Sequence, residues 1–210
     1  MKQRIRNYAA AAGLLLAAVT AAHAANYTAI LTGTQEAPPN NAPGIGATVL
    51  KFDPDTHILE INVAFSSLSS GTTAAHLHCC TDAPFKGVAG VATEVPTLSG
   101  FPLGVTNGAY SNSYNTLLAS TWNPAFLSRF GGSTAFAEAA LESGLNNGLA
   151  YFNIHTSAYP NGEIRGFYTP ALVVAAVPEP ESIALLGIGL PAMLLLARRR
   201  SKNSIKQNNV

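Results

Sequence analysis

The chain has 210 residues and a formal net charge of +1, yet eight of its twelve Lys and Arg residues lie in the first 6 and the last 13 positions. Between residues 25 and 177 four basic side chains stand against nine acidic ones, a net of −5. A mildly acidic segment with no basic patch argues against a nucleic-acid partner, and its length is sufficient for one hydrophobic core.

In chain order, Lys2, Arg4 and Arg6 precede an apolar run, Ala9 to Ala22, and then Ala22-His23-Ala24. A basic start, a short apolar stretch and a small-x-small site predict a secretory signal peptide over residues 1–24, cut after Ala24. Tyr27 to Leu31 is β-branched and aromatic and predicts a first strand. The Gly, Pro and Asn of TGTQEAPPNNAPGIG predict a loop. Gly46 to Phe52 and Ile58 to Phe65 alternate apolar and polar residues across the turn Asp53-Pro54-Asp55-Thr56, which predicts a hairpin. Ala74 to His78 predicts a further strand.

The middle of the chain is less regular. PTLSGFPLGVTNGAY is turn-rich and reads as mostly loop, with a helical section starting near Asn115. Asn123-Pro124 is a cap followed by a proline at the first helical position, so a short helix is expected over residues 124–129. Residues 133–145, rich in Ala, Leu and Glu, predict a longer one. Leu149 to Thr156 and Glu163 to Tyr168 predict the last strands, joined by the turn Tyr159-Pro160-Asn161-Gly162. Short strands with one helical insertion predict a mainly all-β, antiparallel, Ig-like or Greek-key β-sandwich.

The C-terminal segment is set apart. Val177-Pro178-Glu179-Pro180-Glu181 leads into an apolar run, Ile183 to Ala197, and then Arg198, Arg199 and Arg200. A helix of that length rises about 22 Å, short of a bilayer core of ~30 Å. This order of features resembles a PEP-CTERM sorting tail. That resemblance implies recognition by exosortase-type sorting machinery, transient membrane anchoring, and delivery to the surface or extracellular matrix of a Gram-negative bacterium. The resulting organisation is signal peptide 1–24, domain 25–170, linker 171–181, hydrophobic and basic tail 182–202, and polar extension 203–210.

Three blocks of the domain carry a second resemblance: ILTGTQEAPPNN, FSSLSSGTTAAHLH and AYFNIHTSAYPNGEIRGFY. Together they resemble a CHRD domain. In animals that domain occurs in a protein that binds growth factors, so the resemblance implies a binding, adhesion or matrix role more than catalysis. Extracellular polysaccharide and surface proteins are the partners expected. The element order is also similar to a copper/zinc superoxide dismutase sandwich. By that similarity His76, His78 and His155 match three copper ligands and Arg165 matches an anion-guiding arginine, while a bridging histidine and a zinc cluster are lacking.

The residues themselves allow the same site. His76 and His78 are two apart, so a strand points both to one face. His155 from another strand could complete three neutral imidazoles, a set that suits copper or zinc. The alternative is a polar strand face hydrogen-bonded to backbone. Cys79 and Cys80 are adjacent, and an exported chain meets oxidising conditions. A vicinal disulfide, pairing with another chain, and one buried beside one exposed thiol all remain open. Glu163 and Arg165 share spacing along a strand and are expected to serve as an ion pair or to tie loop backbone.

Overall fold

The computed structural model describes residues 24–171. The expected signal segment up to residue 23, and from residue 172 the expected linker and sorting tail with Pro178, Glu179, Pro180, Arg198, Arg199 and Arg200, lie outside the described residues. Ala24, the expected cleavage position, is the first residue described.

Eight antiparallel strands make one sheet: β1 (Ala25–Thr32), β2 (Ile45–Asp53), β3 (Ile58–Ser66), β4 (Thr72–His78), β5 (Gly108–Asn115), β6 (Tyr151–Thr156), β7 (Ile164–Phe167) and β8 (Thr169–Pro170). Their order is β4-β6-β7-β1-β2-β3-β5, with β8 paired to β1. The predominantly antiparallel β architecture read from the sequence is therefore present. The sheet curls as a half-barrel, and β1 joins its two groups of strands. Its full length pairs with β2, whereas a single register pair, Thr32 with Arg165, joins it to β7.

Alternation builds the core. Tyr27, Ala29 and Leu31 of β1 are buried while their neighbours are exposed or half-buried, and Leu59, Ile61, Val63 and Phe65 repeat the pattern in β3. Each large apolar side chain so buried contributes about 1.5–3 kcal/mol. The β2–β3 hairpin closes where expected, with the Asp53 carboxylate accepting from the backbone N–H of Asp55 and Thr56.

Two helices cover one end of the core. In α1 (Pro124–Arg129) the Asn123 side chain accepts from Ala125 N–H, and in α2 (Thr134–Asn146) Ser133 accepts from Phe136 N–H. Ala137, Leu141 and Leu145 of α2 are fully buried at helical spacing. Among the described residues, no helix is long and apolar enough to cross a membrane.

One stretch differs from the sequence reading. Residues 108–115 form β5 along β3, where a loop up to residue 110 and a helical section from Asn115 were expected. The Gly, Ala, Ser and Asn of GAYSNSYN are weak strand formers. Only Tyr110 and Tyr114 carry its buried face, and pairing to β3 outweighs the local preference. Just one 3₁₀ turn, Ala119–Thr121, remains of the expected helical section.

Candidate metal centre

β4 and β6 place the three histidines. In their register His76 lies opposite Asn153 and Ala74 opposite His155. His155 is thus the diagonal neighbour of His76, within reach of a long side chain on the same face. The His76 and His155 ring centroids are 5.3 Å apart, and His76 and His78 are 5.8 Å apart. One ring nitrogen from each histidine lies within 4.8 Å of the other two.

Backbone carbonyls fix all three rings. His76 Nε2 meets Pro96 O at 2.7 Å, His78 Nδ1 meets Ala89 O at 2.9 Å, and His155 Nδ1 meets Pro160 O at 2.9 Å. A carbonyl only accepts, so each of these nitrogens carries the hydrogen, and the other nitrogen of each ring presents a lone pair. Those other atoms are His76 Nδ1, His78 Nε2 and His155 Nε2. They are the buried side-chain nitrogen and oxygen atoms without a hydrogen-bond partner among the described residues, and all belong to this cluster.

Burial keeps the rings neutral. It pushes the imidazoles of His76 and His155 below the ordinary histidine value, and that of His78 down to about 4. The carbonyl bonds oppose the shift, and the neighbouring imidazoles add to it at His76 and His78. Three neutral, tautomerically fixed imidazoles, each with a nitrogen left free and gathered in one cluster, suit a shared cation. No carboxylate belongs to the cluster.

A family model described as the CHRD domain matches residues 27–168. The chain belongs to the CHRD domain family. No curated protein and no solved structure matches it. The match spans His76, His78 and His155 of this CHRD domain and both strands that carry them.

The other residues singled out in the sequence fall into different places. Arg165 is only 4% exposed and does not pair with Glu163. Its Nε donates to Gln35 O, its Nη1 donates to Gly87 O at 3.0 Å, and the Glu36 carboxylate lies 3.9 Å from its Nε. Glu163, fully buried, accepts from Ser69 N–H at 2.6 Å and from the Thr156 hydroxyl at 2.6 Å. It ties the β3–β4 loop to the end of β6. Cys79 and Cys80 are joined to each other in a disulfide and no cysteine is free, so the thiols are not ligands. The disulfide packs against α2 at Gly144, where an added Cβ would meet Cys79 Sγ at 2.3 Å. His57, at the β2–β3 turn, bonds Glu138 through Nδ1 at 3.0 Å and stands apart from the cluster.

Three residues around the centre carried little or no signal. The Tyr151 ring stacks on His78 with centroids 4.7 Å apart and an interplanar angle of 7°. Its hydroxyl bonds Ala89, whose carbonyl also holds His78. The Asn153 amide donates to Glu36 Oε1 at 2.6 Å. Burial pushes the Glu36 carboxyl up to about 7, opposed by the Arg165 charge and the Asn153 bond. Tyr151 and Asn153 could have been found from strand period, because both precede His155 by an even number of residues. Glu36 sits in an irregular loop where no period applies.

Proposed function

We propose that this CHRD domain is an exported, surface-sorted copper-binding module, with His76, His78 and His155 as the ligands. The observation that carries it is the convergence of three buried ring nitrogens without partners, each on a ring held by a backbone carbonyl. Copper is preferred because neutral imidazole ligands suit it and because His76, His78 and His155 match the copper ligands of the sandwich that the element order resembles. The signal segment and the PEP-CTERM-like tail support export, handling by exosortase-type machinery and surface delivery. The antiparallel half-barrel fits an Ig-like, Greek-key sandwich.

The test is metal content. The protein purified from cells grown with physiological copper should hold about one copper per chain if the three donors form one site. The His76→Ala variant should hold none. Wild type without bound copper, and unable to take it up on titration, would overturn the assignment.

A second reading is an adhesion or matrix module. It is favoured by the outer face of the β1–β2–β3 region, where Ile30, Ile45 and Val49 are exposed. Extracellular polysaccharide and surface proteins are its candidate partners. Deletion of the gene should then change cell aggregation, and unchanged aggregation and surface polymer would remove this reading.

A further inference from the structure

The charge around the three histidines bears on which ion they hold. All three donors are neutral, and each ring N–H goes to a backbone carbonyl and not to a carboxylate. A dication would therefore bring its full charge into a largely buried site with no anionic ligand, at a desolvation cost that rises steeply with charge.

A second positive charge is already fixed nearby. Sheet order runs β4-β6-β7, so Tyr151 of β6 lies between His78 of β4 and Arg165 of β7. The Tyr151 ring stacks on His78, and the Arg165 guanidinium lies 4.8 Å from the centroid of the same ring. Arg165 thus stands roughly two stacking distances from a candidate ligand, in a medium that screens poorly. Its carboxylate neighbour, Glu36, compensates it only in part, because burial favours the neutral form of that carboxyl. Arg165 also donates to Gly87 O while Tyr151 bonds Ala89, so the two residues together hold the loop that orients His78.

Coordination number points the same way. Structural zinc takes four protein ligands, catalytic zinc takes three with water in the fourth position, and Cu(II) favours tetragonal sets, so either dication would need a further ligand here. We propose that the centre is built for monovalent copper, and that Arg165, acting through space across Tyr151, sets the preference for the single charge. This inference rests on the histidine cluster being a metal site.

The experiment compares ions on the full chain. Cu(I), generated anaerobically with ascorbate so that the disulfide stays intact, is titrated in competition with a chelator of known affinity. Cu(II) and Zn(II) are titrated separately in the same way. Wild type should bind one Cu(I), more tightly than either dication. Arg165→Met should lower the ratio of Cu(I) to Cu(II) affinity by about tenfold, the scale of one unit charge at this range. Glu36→Gln, compared with wild type at pH 8 where the carboxyl is ionised, removes the compensating carboxylate, keeps the shape and should raise it. If Arg165→Met does not fold, the Glu36→Gln shift decides. Tighter binding of Cu(II) or Zn(II) by wild type, or a ratio that Glu36→Gln leaves unchanged, would overturn the inference while leaving a metal site in place. Binding of no ion would overturn the metal assignment itself.

Discussion

His76 and His155 approach diagonally across the β4–β6 pairing, their ring centroids 5.3 Å apart, and each keeps one buried ring nitrogen without a partner. Unpartnered lone pairs in a buried position are costly unless a cation meets them. Metal should therefore stabilise the fold. At an ion concentration of 100 times the dissociation constant the gain is about 2.7 kcal/mol. A thermal melt with and without copper checks it, and the gain should vanish in His155→Ala.

Acid should destabilise the apo-protein through the same rings. The three imidazoles lie below the ordinary value of 6.5 when folded, His78 at about 4. The unfolded chain then binds more protons between those values, so stability rises with pH across that window. The contribution is full above pH 6.5 and is lost as pH falls through the folded values. Urea unfolding from pH 4 to 7 should show this slope, and it should be shallower in a variant with all three histidines replaced.

Glu36 acts in the opposite sense. Its carboxyl is raised from 4.5 to about 7 by burial, so between those values the folded chain keeps a proton that the unfolded chain has lost. Wild type is penalised progressively as pH rises through that range, fully so above it. Glu36→Gln should gain stability relative to wild type from pH 4.5 to 7. A stability difference independent of pH would contradict the buried neutral carboxyl.

Glu163 ties the β3–β4 loop to the end of β6. Replacing it with Gln turns one of two buried acceptor oxygens into a donor facing Ser69 N–H or the Thr156 hydroxyl. The expected cost is about 1–3 kcal/mol in urea unfolding, the price of an unmet buried hydrogen bond. Copper affinity should not move. A large loss of copper binding in the folded variant would place Glu163 in the metal site after all.

Gly144 is where α2 meets the disulfide. A Cβ there would lie 2.3 Å from Cys79 Sγ and 2.9 Å from Cys80 Sγ, so helix and strand end must separate to admit it. Gly144→Ala should cost about 1–3 kcal/mol despite alanine's better helix propensity. A more stable variant in chemical denaturation would show that the contact relaxes freely.

Much of this was legible in the residues. β-Branched and aromatic residues marked β1, alternation marked β2 and β3, a cap and proline marked α1 and composition marked α2, because those signals act within a few positions. The His-x-His pair told of a shared face through strand period alone. What was not legible is long-range. The carbonyls of Ala89, Pro96 and Pro160 carry no side-chain signature, yet they fix the tautomers. The Arg165 partner is Glu36, more than a hundred residues away in an irregular loop, and not Glu163 two positions back. β5 was hidden because its side chains favour turns and only pairing with β3 makes it a strand.

The most direct measurement is X-ray absorption on the copper-loaded full chain. Three imidazole nitrogens at about 2.0 Å, with no sulfur ligand, is the expected coordination, and it should be lost when His78 is replaced by Ala. Copper bound through sulfur, through fewer than two imidazoles, or unchanged in His78→Ala would contradict a centre made of His76, His78 and His155.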